Sequence, residues 1–233
     1  MGLTHSPSIT TDGLVLCLDA GNVRSYPGSG STWYDLSIGK NHFVLYNGAF
    51  WDSNTSAMSF DGDNDNAGRS TPTSLQLKND KTLAFWFNNT SGLGDSLASL
   101  IRVGLGADLL YCLFSDSSNR RLAFHWYNTT FRTVYSQSNI YLLDTFNYGC
   151  ISISGTTAKF YINGMSAGTS TVSIPSPNSA SLIGIGATRS GASVGTTAQD
   201  FGGKIAVVKI YNRALSPNEI KQNYLATKGR FNL

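Results

Sequence analysis

Hydrophobic and polar positions alternate with a period of two over much of the chain. In Lys81 to Asn88, Leu83, Phe85 and Phe87 fall on one side and Thr82, Ala84 and Trp86 on the other. A strand points successive side chains to opposite faces, so this spacing predicts a strand with one apolar face. The same reading predicts strands over Gly13 to Ala20, Asp108 to Phe114, Arg121 to Tyr127, Phe131 to Tyr135, Tyr148 to Ser154, Ala158 to Ile162, Ser181 to Ala187 and Lys204 to Tyr211, with another from Met165 onward. Asn163-Gly164 between two of these runs predicts a tight hairpin, because a type I′ turn needs positive φ at both central residues. Residues 188–200, rich in Gly, Ser, Thr and Ala, read as a loop. One helix is legible. Ser216-Pro217-Asn218-Glu219 places a hydroxyl at the N-cap, proline at the first helical position and glutamate at the third, which is a capping box, and Ile220 and Tyr224 share a face to about Ala226. With no linker and no repeat of fixed period, the pattern predicts one domain over residues 1–233: a short arm at 1–12, an all-β sandwich of two antiparallel sheets, and the helix at about 216–226.

Composition narrows the class further. Gly, Ser, Thr and Asn number 24, 30, 21 and 19 among 233 residues, whereas charged residues make up only 13%. A chain with so little charge and 12% aromatics has apolar surface to bury and is not kept open by repulsion. Helix-surface residues are scarce, with one glutamate and eight lysines, so a mostly helical fold is excluded. The net charge of +3 is scattered, and no basic block exceeds Arg120-Arg121, which argues against nucleic acid as a partner. No run approaches the eighteen or so apolar residues of a membrane-spanning helix, so no membrane partner is expected. The first thirteen residues have neither a basic nor an apolar leader region, which predicts synthesis in a host cytoplasm. Cys17, Cys112 and Cys150 each lie in an apolar strand, at spacings that match no metal or redox motif, and read as reduced core thiols.

Several segments carry candidate chemistry. Asp61, Asp63 and Asp65, interleaved with Gly62 and Asn64, offer hard oxygen ligands at alternate positions, as Ca²⁺ prefers. Counting from Asp61, the EF-hand template fails at position six, which is Asn66, and at position twelve, which is Pro72. The competing reading is an Asx-rich turn bonded to its own backbone. Gly191-Ala192-Ser193-Val194-Gly195 matches the spacing of a nucleophile elbow but lacks the strand before and the helix after it. His125, inside Phe124-His125-Trp126-Tyr127, reads as a sheet-face residue. The sole glutamate, Glu219, is taken by the helix cap, and glycosidases of sandwich folds generally pair two carboxylates across the sugar. This argues against an enzyme. The aromatic surplus includes Trp33, Tyr34, Trp51, Trp126, Tyr127, Phe131 and Tyr135. Exposed rings stack on sugar faces, and the first five of these are the expected carbohydrate-binding residues, against the alternative that they fill cores or subunit contacts.

Four N-terminal segments, Gly13 to Asn22, Ser25 to Ser37, Asn41-His42 and Phe60-Asp61-Gly62, resemble laminin G-like, concanavalin A-like jelly-roll domains. Phe160 to Gly164, Ile183-Gly184, Gly203 to Ile205 and Ile210 to Ile220 agree with that resemblance, and Asn223 to Phe231 is similar to the version found in tailed-bacteriophage structural proteins. The resemblance implies carbohydrate or protein binding, in some members with Ca²⁺. The usual Phe-Asp-Gly-x-Asp-Asp-Tyr is here Phe-Asp-Gly-Asp-Asn-Asp-Asn, which leaves Asp63 and Asp65 as acidic ligands. The expectation is a non-enzymatic virion protein (a head decoration, neck or tail appendage) with a weak carbohydrate-binding surface. Its partners would be other virion proteins, further copies of itself and glycans. The alternatives are an Asp-dependent glycan-degrading enzyme and a purely architectural capsid cement.

Overall fold

The alternation in Lys81 to Asn88 divides two apolar layers. Leu83, Phe85 and Phe87 point into the space between two sheets, whereas Ala84 and Trp86 point outward to a second layer beneath the C-terminal helix. The computed structural model describes residues 7–175, 179–187 and 199–233. One antiparallel sheet runs in the order β14 (Met165–Thr171), β13 (Thr157–Ile162), β12 (Asn147–Ser154), β7 (Lys81–Gly94), β16 (Phe201–Tyr211), β5 (Ala57–Asp61) and β4 (Phe50–Asp52). Strand β1 (Leu14–Asp19) shares an edge of β16 with β5: Asp19 pairs with Val207, and Met58 of β5 with Ile205. The second sheet runs β11 (Thr130–Tyr135), β10 (Arg121–Asn128), β9 (Tyr111–Asp116), β8 (Leu97–Val103), β15 (Leu182–Ile185), β6 (Asn66–Ser70), β3 (Phe43–Tyr46) and β2 (Thr32–Trp33). The predicted two-sheet sandwich with one short C-terminal helix is the observed architecture.

Local signals hold where they are strong. Asn163 and Gly164 have φ of 48° and 78°, and the hairpin they close joins β13 to β14. The helix α1 (Pro217–Thr227) starts on a complete capping box: Ser216 Oγ accepts from the Glu219 N–H at 3.3 Å, and Glu219 Oε2 accepts from the Ser216 N–H at 2.8 Å. Arg213 forks the same carboxylate, Nη2 to Oε1 at 2.5 Å and Nη1 to Oε2 at 3.2 Å. These bonds outweigh burial and hold Glu219 down at about 2, with Arg213 the largest cause. Weaker signals fail. Strand β8 escapes the sequence reading because a bulge between Ser99 and Ile101 breaks the alternation, so that Leu100 and Ile101, adjacent in sequence, both enter the core.

The helix and the 3₁₀ turn after it (Lys228–Phe231) cover the outer face of the first sheet. Trp86 is fully buried there. Its ring stacks on Phe231 at 4.1 Å and on Tyr224 at 5.8 Å, and its Nε1 donates to Thr227 Oγ1 at 2.8 Å. All three cysteines are free and buried, as expected, and burial pushes Cys17 up to about 11 and Cys112 up to about 12.

Candidate functional site

Alternation in β10 separates core from surface. Leu122, Phe124 and Trp126 belong to the inter-sheet core, so Ala123, His125 and Tyr127 lie on the outer face of the second sheet. The register of β11 on β10 continues that face: Tyr135 pairs with Ala123, Thr133 with His125 and Phe131 with Tyr127. Because β11 is the last strand of its sheet, its outward rings are the least covered. Phe131 is 53% exposed and Tyr135 40%.

The rings are ordered by one another. Phe131 stacks on His125, with centroids 5.3 Å apart and planes 17° apart, and meets Tyr127 edge-on at 5.3 Å. His125 is held from below by the edge of Phe114 at 5.8 Å and from the side by Thr133, whose Oγ1 hydrogen-bonds Nδ1 at 2.7 Å. Burial, reinforced by the charge of Arg102, holds the imidazole down at about 4, so it is neutral at pH 7. At the opposite end of the strip, the Arg121 guanidinium lies 3.8 Å from the centroid of Tyr135. From Arg121 to Tyr127 the strip is about 20 Å long at strand rise. Apolar faces bordered by Thr133 and Arg121 can stack on a sugar ring and hydrogen-bond its hydroxyls.

Of the five aromatics expected to bind carbohydrate, only Tyr127 lies in this strip. Trp33 has no exposed surface and Trp126 only 3%: both point between the sheets, and neither can stack on a ligand. Trp51 is half-buried, packed 6.0 Å from Tyr26, and its Nε1 donates to the Ala20 carbonyl at 2.9 Å. Tyr34 is exposed and meets His42 edge-on at 5.1 Å, but it follows β2, at the other end of the sheet. Six strand spacings put it on the order of 30 Å from Tyr127. The five rings therefore do not form one site. Phe131 and Tyr135 belong to it instead, and the signal that finds them is the phase of β10: the hairpin register copies it onto β11.

The acidic loop resolves as an Asx turn. Asp61 Oδ1 accepts from the backbone N–H groups of Asp63, Asn64 and Asp65 at 2.9, 3.3 and 3.4 Å, and Asp65 Oδ2 accepts from the Asp61 N–H at 2.9 Å. Burial raises the Asp61 carboxyl, but those three N–H donors outweigh it and the net shift is downward. Asp65 shifts the other way: it is 4% exposed, and burial raises its carboxyl. Among the described residues no three His, Cys, Asp or Glu side chains converge as metal ligands. Asp61, Asp63 and Asp65 thus do not converge as the expected Ca²⁺ site: Asp61 Oδ1 and Asp65 Oδ2 are taken by the loop's own backbone, and Asp65 Oδ1 is buried without a hydrogen-bond partner. The Gly191 to Gly195 motif lies outside the described residues.

A profile of the concanavalin A-like lectin/glucanases superfamily matches residues 61–221, more than half of the chain. The chain belongs to the concanavalin A-like lectin/glucanases superfamily. No curated protein sequence matches it. Among solved structures, the binding domain of botulinum neurotoxin serotype D superimposes with a TM-score of 0.68 at 12% identity, covering 93% of this chain and 52% of that one. Trypanosoma rangeli sialidase, in complex with 2,3-difluorosialic acid as a covalent intermediate, superimposes with a TM-score of 0.69 at 18% identity, covering 96% of this chain and 34% of that one. This superfamily member thus spans about half of the toxin domain and a third of the sialidase, and at these identities the likeness is one of fold.

The comparison corrects the sequence reading against an enzyme. The jelly roll occurs within chains of sialidases. Because the fold is shared with chains of enzymes, the shortage of glutamate does not exclude catalysis.

Proposed function

We propose that this superfamily member is a carbohydrate-binding module carried on a bacteriophage particle, and that it holds glycans on the outer face of β10 and β11. The observation that carries the binding reading is the Tyr127, Phe131, His125 and Tyr135 strip. His125, Tyr127 and Phe131 are fixed by contact with one another and Tyr135 by Arg121, and Phe131 and Tyr135 are exposed on the last strand of a sheet. Exposed aromatics of this kind mark ligand surfaces when they cluster. The superfamily's lectin and glucanase character supports the same reading.

The particle half rests on the resemblance of Asn223 to Phe231 to tailed-phage structural proteins. On this reading the protein is made in the host cytoplasm and sits in the virion among other virion proteins and further copies of itself. Mass spectrometry of purified virions tests this half: a particle without the protein sinks it. A glycan array tests the binding half. Signal lost on Phe131→Ala supports it, and a blank array overturns it. An assay for reducing ends on any glycan that binds then distinguishes a binder from a hydrolase.

A further inference from the structure

The strip ends on an arginine whose guanidinium is only partly engaged. Arg121 Nε donates to Asp116 Oδ2 at 2.8 Å while the guanidinium plane lies against Tyr135. Asp116 is itself held: the Asn119 N–H and Nδ2 donate to Oδ1 at 3.0 and 3.3 Å, and Nδ2 donates to Oδ2 at 3.0 Å. One edge of Arg121 is therefore tied to a carboxylate that cannot swing away, and one face is tied to a ring. The two Nη groups, which form the other edge, have no hydrogen-bond partner among the described residues. Such an edge is pre-set for two parallel bonds to an oxyanion, and the ordering cost of a free arginine has already been met by the fold.

Charge along the hairpin points the same way. From Asp116 to Tyr135 the chain carries Arg120, Arg121 and Arg132 against Asp116 alone, and of these Arg132 pairs with Trp126 and so lies on the other face of the hairpin. Arg120 is turned to Asn139 Oδ1, to which its Nε donates at 3.0 Å, so it adds field without competing for the same ligand atom. His125, neutral at pH 7, adds no charge of its own.

We infer that this surface selects acidic glycans, with the Nη edge of Arg121 receiving a carboxylate or sulfate from a sugar whose ring stacks on Tyr135. This rests on the carbohydrate-binding reading and adds the substrate class to it.

The test uses the intact protein on an array of matched pairs: uronic-acid and sialylated glycans beside the same glycans with carboxyls reduced to alcohols, and sulfated glycans beside their desulfated forms. The expected result is a loss of about tenfold or more on reduction or desulfation, as for one charge-assisted hydrogen bond. Which pair shows the loss tells carboxylate from sulfate. Arg121→Gln should bind both members of the pair as weakly as the wild type binds the neutral one, and Arg121→Lys should not restore the difference, because lysine lacks the fork. If Arg121→Gln fails to fold, the wild-type pair comparison still decides. Equal binding of acidic and neutral members overturns the inference and leaves the binding reading standing. An array blank for every glycan overturns both.

Discussion

Phe131 lies over His125 with ring planes 17° apart, and the histidine beneath it is kept neutral by burial and by the charge of Arg102. The stack joins an exposed ring on the last strand of the sheet to a half-buried one on its neighbour. Stability and binding meet at this pair.

The first consequence is a pH dependence. His125 titrates at about 4 when folded, against about 6.5 in an unfolded chain. The unfolded state therefore takes up the proton first, and folding loses stability as pH falls. The loss begins near 6.5 and is complete at about 4; above that window the full stability is present. Calorimetric melting temperatures should fall between pH 7 and 4 in the wild type and fall less in His125→Gln.

Exposure separates the aromatics by what their removal does. Phe131→Ala should leave stability within about 0.5 kcal/mol, as for most surface changes, and weaken glycan binding about tenfold. Trp33→Ala should cost about 3–5 kcal/mol in urea unfolding, because it leaves a cavity between the sheets, and should leave the affinity of the folded fraction unchanged. Reduced binding in folded Trp33→Ala would contradict the placement of the site.

The helix cap has its own signature. Glu219→Ala removes the reciprocal capping bond and the Arg213 pair, and should cost about 1 kcal/mol. The folded carboxyl titrates at about 2 and the unfolded one near 4.3, so its contribution is fully present above about 4.3 and is lost as pH falls toward 2. The difference between wild type and Glu219→Ala in denaturant midpoint should therefore shrink below pH 4.

Gly203 and Gly30 both have positive φ, 139° and 93°. A Cβ on Gly203 would lie 2.1 Å from the Asn88 carbonyl oxygen, inside the β16 and β7 pairing, whereas one on Gly30 would meet nothing within 4 Å. Gly30→Ala should cost about 1 kcal/mol, from backbone strain alone. Gly203→Ala should cost at least twice that, because no flexible side chain can yield. Parallel chemical denaturation of the two variants checks this.

Calcium addition should not raise the melting temperature above that measured with a chelator. An ion that bound the folded state would raise it by mass action. In the acidic loop Asp61 Oδ1 already accepts three backbone N–H groups, and among the described residues no three acidic, His or Cys side chains converge.

By itself, the sequence determined what depends on neighbours along the chain. Alternation marks most of the longer strands, Asn163-Gly164 sets a hairpin, and Ser216 to Glu219 starts the helix; the low charge and many turn residues set the class. Tertiary structure alone decided which faces are covered. A period of two defines two faces of a strand but not what packs on either. Trp86 points away from the inter-sheet core, yet it is buried because Phe231, far along the chain, lies on it. Trp126 and Tyr127 are adjacent, yet one is core and the other belongs to the binding strip. The acidic loop reads from its residue types as an ion site or as a turn, and only its folded geometry shows Asp61 Oδ1 and Asp65 Oδ2 accepting from the loop's own backbone. The pairing of Arg121 with Asp116 and Tyr135 likewise exists only because two hairpins place three strands side by side.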